Sequence, residues 1–110
     1  MNTINRRALP LAATVLLGFG FAAYAAEPST VTIDNFAFSP AILSVSPGTK
    51  VTWTNKDEEP HTVTSADAGA TFKSAALDTD DQFSFTFDKP GTYKYFCSIH
   101  PHMSGTIVVK

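Results

Sequence analysis

Apolar and polar residues alternate along much of this chain beyond residue 30. Val31-Thr32-Ile33 alternates and Phe36-Ala37-Phe38 follows. Val51-Thr52-Trp53-Thr54 alternates again, Thr62-Val63-Thr64 is briefer, and Phe83, Phe85 and Phe87 sit between Ser84 and Thr86. Period 2 marks a strand with one buried face. Ile42-Leu43-Ser44-Val45, Thr92 to Cys97 and Thr106 to Val109 add three further strand candidates, the last opened by Gly105. Ser46-Pro47-Gly48 and Lys89-Pro90-Gly91 punctuate the pattern. Proline followed by glycine at the centre of a reversal predicts a type II turn at both places. No segment of this region carries a convincing helical period. Residues 65–80, SADAGATFKSAALDTD, are irregular, with room for one helical turn around Lys73 to Leu77. There is no internal repeat and no low-complexity tract. Seven to eight short strands with frequent turns predict an all-β fold, a Greek-key β-sandwich.

The first residues read differently. Arg6 and Arg7 precede an apolar run from Ala8 to about Ala23, and Ala23-Tyr24-Ala25 offers small residues at a cleavage site. That layout predicts a secretory signal peptide over 1–25, with Ala26 as the second choice for the cut. The run is shorter than the roughly 20 apolar residues of a bilayer span, so no stable membrane insertion is expected after cleavage. The Arg6-Arg7 pair hints at twin-arginine export, but its surroundings leave that motif incomplete. The remaining chain, 26–110, is expected to be one small exported domain.

Removing Arg6 and Arg7 leaves six basic and ten acidic residues, a net charge of −4. A nucleic-acid binder would need a basic face, so that class is set aside. Cys97 is the only cysteine, so no internal disulfide can form. In an oxidising compartment a leftover thiol is buried, paired with another chain, or held by a metal.

The stretch Cys97-Ser98-Ile99-His100-Pro101-His102-Met103 favours the metal. Cys97, His100 and Met103 recur every third residue on a loop between two predicted strands, and Pro101 restricts its backbone. A fourth donor must come from elsewhere, and His61 is the one remaining histidine. A thiolate and two imidazoles suit copper in both oxidation states, and a weak axial thioether tunes the potential. Zinc prefers four strong donors. Haem c and iron–sulfur clusters need more cysteines than one.

Cys97-x-x-His100-x-x-Met103, with Pro60-His61 upstream, resembles the cupredoxins, the small blue-copper proteins. Val45 to Asn55 (VSPGTKVTWTN), Pro60 to Val63 (PHTV) and Gly91 to Cys97 (GTYKYFC) extend the likeness over nearly all of 26–110. The short loop spacing is most similar to that of the amicyanins. The resemblance implies one type 1 copper held by His61, Cys97, His100 and Met103. It implies a monomeric periplasmic electron carrier and no enzymatic activity. Its donor and acceptor would be redox proteins, such as a cytochrome c or a periplasmic dehydrogenase. An apolar patch around the His100 edge, with Pro60, Ile99 and Pro101 as candidates, would receive them. Amicyanins carry an aromatic residue where this chain has His102, and asparagine where it has Thr62.

Other readings remain at this point. His102 is either an exposed rim residue or a pH-sensitive partner contact. Asp57-Glu58-Glu59 is a solvated run that could steer a basic partner. Asn55 fixes its loop by hydrogen bonds. Phe96 points away from the face that Cys97 occupies. A periplasmic module for copper storage or delivery is the alternative function, although such modules usually offer several exposed methionines and histidines. A copper enzyme would need further sites that three histidines cannot build.

Overall fold

The computed structural model describes residues 29–110; the proposed leader, 1–25, lies outside them. Eight strands run in order: β1 (Ser29–Asp34), β2 (Ala37–Ser39), β3 (Ile42–Val45), β4 (Thr49–Asn55), β5 (Thr64–Ser65), β6 (Gln82–Phe87), β7 (Gly91–Phe96) and β8 (Ser104–Val109). They form two four-stranded sheets, ordered β2-β1-β4-β6 and β3-β8-β7-β5. The expected all-β sandwich is therefore the fold. β1 pairs in parallel with β4, and β3 in parallel with β8. These pairings require crossovers between sheets, which hairpins alone would not give.

Alternation places the core. In β4, Val51 and Trp53 face inward, as do Val31 and Ile33 in β1 and Ile107 and Val109 in β8. Trp53, Phe72, Phe87 and Tyr95 form a continuous aromatic cluster between the sheets, with ring centroids 5.4 to 6.3 Å apart. Burial pushes the Tyr95 hydroxyl up to about 12. Gly105 lies opposite Tyr95 in the β7–β8 ladder. A Cβ there would overlap Tyr95 Cζ and Oη, so the aromatic ring occupies the space a side chain would need.

Three local expectations are corrected. Phe36 does not begin a strand. Asp34 pairs with Ala37, which leaves Asn35 and Phe36 as a two-residue turn with φ of 54° and 57°. That is the type I′ geometry whose hand matches strand twist. Asn35 suits it, whereas a phenylalanine in left-handed backbone costs about 1–2 kcal/mol. The second correction concerns Lys73 to Leu77, which is extended rather than helical. Ser74 N–H donates to Val63 C=O, and Leu77 N–H donates to His61 C=O, so the segment is drawn out beside 61–64. The short expected strand at 62–64 is correspondingly reduced to β5 and isolated bridges.

The third correction separates the two Pro-Gly sites. Gly48 has φ of +90°, as the third residue of a type II turn requires. Gly91 has φ of +156° and already pairs with Val109 as the first residue of β7. There the reversal is instead secured by Tyr93, whose hydroxyl donates to Lys89 C=O at 2.7 Å.

Candidate metal centre

Two segments meet at one end of the sandwich. The first follows β4. Asn55, fully buried, donates from Nδ2 to Glu59 C=O and Leu77 C=O at 2.9 and 2.8 Å. Its Oδ1 accepts the Asp57 N–H at 2.9 Å. The amide thus uses both donors and its acceptor to set the path toward His61, as its sequence position suggested. His61 is then clamped by two backbone hydrogen bonds with Leu77.

The second segment continues β7. Tyr95 and Cys97 both lie on the buried face, while Phe96 between them is on the other and half-buried. After Cys97 the loop folds back on itself. Met103 N–H donates to His100 C=O at 2.9 Å, and Cys97 N–H donates to Met103 C=O at 3.1 Å. These bonds make a compact turn of 97–103 and deliver Met103, itself buried, to the base of the loop.

The segments bring His61, Cys97 and His100 together, with one donor atom from each all within 4.8 Å of one another. Cys97 Sγ lies 3.7 Å from His61 Nδ1 and 3.8 Å from His100 Nδ1. A sulfur at about 2.3 Å and a nitrogen at about 2.0–2.1 Å from a shared ion, roughly 110–120° apart, would be separated by about 3.5–3.8 Å. The observed spacing fits donors arranged around one metal. His61 and Cys97 are fully buried; His100 keeps 30% of its side chain exposed. His102, exposed, stands outside the cluster.

The surroundings set the protonation states. His61 Nε2 is 2.7 Å from Asp57 Oδ2. A carboxylate only accepts, so Nε2 carries a proton, and Nδ1 is the ring nitrogen that faces the sulfur. Burial pushes the Asp57 carboxyl up. N–H donation from Phe36 and Asn35, together with His61, outweighs it and holds the group below its ordinary value. Burial likewise pushes the Cys97 thiol up. The Thr62 N–H at 3.3 Å, His61, and the His100 N–H at 3.4 Å and ring outweigh it and bring the thiol down to about 6. The pocket therefore favours thiolate, which is the form that binds metal.

The two loops are also joined to each other. Ser98 N–H donates to Thr62 Oγ1 at 2.7 Å, and the Thr62 and Ser98 hydroxyls lie 2.8 Å apart. Thr62 thus supplies the tie between the ligand loops where amicyanins tend to have asparagine.

Two residues of the site escaped sequence reasoning. Asp57 is not simply part of a solvated acidic run: only 11% of its side chain is exposed, and it supports His61. Its spacing four residues before a ligand histidine was the available signal. Phe36 touches both histidine rings, and no sequence pattern marks that contact. The expected apolar patch is present but composed differently. Phe36, Ile99, Pro101 and Met103, with His102, line a depression beside His100, and Pro60 is not among its lining residues.

A buried thiolate and two oriented imidazoles on a β-sandwich define the mononuclear copper class of site. The chain belongs to the cupredoxin-like domain family, whose match spans residues 7–109. It is 32% identical to the amicyanin of Paracoccus denitrificans, with 91% of this chain and 92% of that protein covered. It is 33% identical to amicyanin-alpha of Methylorubrum extorquens, over 77% of this chain and 74% of that protein. Among solved structures, a purple cupredoxin from Nitrosopumilus maritimus aligns with a TM-score of 0.70 at 35% identity, covering 74% of this chain and 99% of the other. An amicyanin variant in its Cu(I) form aligns with a TM-score of 0.71 at 31% identity, over 81% of this chain and 89% of that one. Family and donor set together make copper the cofactor, and make the protein a blue-copper electron carrier rather than an enzyme.

Proposed function

We propose that this protein is a periplasmic, amicyanin-like carrier that moves single electrons between redox proteins. The observation that carries this reading is the convergence of Cys97, His61 and His100 on one point of a rigid, buried frame. His61, Cys97, His100 and Met103 would hold the copper, the thiolate and imidazoles as strong donors and the Met103 thioether as a weak one. Residues 1–25 serve as the export signal, and 26–110 as the working domain.

Copper, when bound, supplies a one-electron Cu(II)/Cu(I) couple. The chain's own residues keep the site from rearranging. Asp57 orients His61, the Thr62 N–H supports the sulfur, and the 97–103 turn fixes His100. Full burial of Cys97 and His61 excludes water and also argues against a delivery module, whose donors must be reached by an acceptor. His100 is the half-exposed ligand and lies on the apolar depression, so a partner docks there. Glu58 and Glu59 are exposed beside the site, and they favour a partner with a basic rim, such as a cytochrome c or a periplasmic dehydrogenase. Contacts of this kind are small and transient. The carrier acts as a monomer.

The test is a visible spectrum of residues 26–110 with one equivalent of Cu(II). An intense thiolate-to-copper band that bleaches with ascorbate and returns on oxidation is expected. A colourless complex, or simple oxidation of Cys97, would sink the proposal and bring the storage reading forward.

A further inference from the structure

Four residues other than glycine have positive φ among the described residues: Asn35, Phe36, Ala70 and Asp80. Phe36 alone among them is bulky, and its turn would be better served by glycine. The turn gains nothing from the ring. The metal centre does. The Phe36 ring stands at 86° to His61 and 84° to His100, with centroids 5.4 and 5.1 Å away. The His61 and His100 rings are themselves 4.9 Å apart. Three rings therefore close a triangle. One side of Phe36 meets both imidazoles, and the residue remains 47% exposed toward the depression it shares with Ile99, Pro101 and Met103.

The placement of the ring is held from beneath. Asp57 Oδ1 accepts the Asn35 N–H at 2.6 Å, and Oδ2 accepts the Phe36 N–H at 2.9 Å. The same Oδ2 accepts the His61 Nε2–H. One carboxylate thus sets both the aromatic turn and the buried histidine. The ring and the imidazole it covers keep their register because they share an anchor. Perpendicular aromatic contacts of this spacing are attractive and directional.

We propose that Phe36 is a positioning residue that roofs the gap between His61 and His100, keeping small external ligands off the metal and holding the His100 ring in its ligating orientation. This rests on the copper reading above. The side chain acts by excluded volume and ring contact. It donates nothing to the metal, and no bond is made or broken.

The test uses copper-loaded protein in wild-type, Phe36→Gly and Phe36→Tyr forms. Each is titrated with azide and with imidazole, followed by visible and electron paramagnetic resonance spectra. Each is then challenged with EDTA, and the decay of the blue band is timed. Circular dichroism establishes that all three are folded, and glycine suits the turn, so Phe36→Gly is expected to fold. Wild type and Phe36→Tyr should resist both probes. Phe36→Gly should form adducts and lose copper about tenfold faster or more, in the range typical for groups that support metal ligands. A Phe36→Gly protein as resistant as wild type overturns the proposal while leaving the copper site intact. So does a Phe36→Tyr protein as open as the glycine variant. A wild type with no thiolate-to-copper band overturns the copper reading and this one together.

Discussion

Thr62 Oγ1 accepts the Ser98 backbone N–H at 2.7 Å, so the residue after His61 is tied to the residue after Cys97. The neighbouring Thr62 N–H points to Cys97 Sγ at 3.3 Å. A single residue therefore links both loops through side chain and backbone at once. Thr62→Val keeps the backbone donor and the shape but leaves the Ser98 N–H without its acceptor. A loss of about 1–3 kcal/mol is expected, read by thermal unfolding, with the blue band retained. Thr62→Asn should recover most of that loss. Unchanged stability in Thr62→Val would mean that the 97–103 turn holds itself.

Asp57 accepts a hydrogen bond from His61 Nε2–H, and its negative charge pushes electron density toward the ring nitrogen that faces the sulfur. A stronger imidazole donor favours Cu(II) over Cu(I). Asp57→Asn keeps one acceptor oxygen for Phe36 and His61 but removes the charge and the acceptor of the Asn35 N–H. The reduction potential should rise, by about 59 mV for each tenfold loss of preference for Cu(II). Voltammetry decides this, and a potential that falls or stays constant would contradict the role given to Asp57.

The Cys97 thiol is held at about 6 in the folded protein against an ordinary value of 9.0. Its folded value is depressed, so the unfolded chain binds the extra proton between those limits. The resulting stability is fully present above pH 9, and it is lost as pH falls through 6. Metal-free protein should therefore melt at rising temperature as pH is raised from 6 to 9, and its ultraviolet thiolate absorbance should appear near pH 6. Cys97→Ser should flatten the melting trend across that window. A slope that survives the substitution would assign it to another group.

Gly105→Ala would push a methyl group into Tyr95 Cζ and Oη. Overpacking of this kind costs about 1–3 kcal/mol, measurable by denaturant unfolding. Tyr95→Phe behaves differently. The buried hydroxyl has no hydrogen-bond partner among the described residues, so its removal is expected to be neutral or stabilising. A marked loss in Tyr95→Phe would reveal a bond to that oxygen.

Some of this protein was legible from one dimension. Strands of period 2 declare a sandwich because half-buried sheets demand alternation, and Phe83 to Phe87 obeyed that rule. The Cys97, His100 and Met103 grouping was legible because a short loop brings its own residues together whatever the rest of the chain does. His61 followed by elimination, as the remaining histidine outside that loop. Proximity across the fold was not legible. Asp57 reads as one of three acidic residues, and only the buried Asn55 frame turns it inward onto His61. Lys73 to Leu77 had no strand period of its own, because its extended shape comes from pairing with 61–64. Phe36 looked like a strand residue for a related reason. Local alternation says which face a side chain prefers, whereas the register of Asp34 with Ala37 decides where the chain turns. Donor chemistry is a property of residue types and short spacings, so the sequence carries it. The roof, the shared carboxylate and the tie between loops are contacts between segments distant along the chain, and only folding brings such segments together.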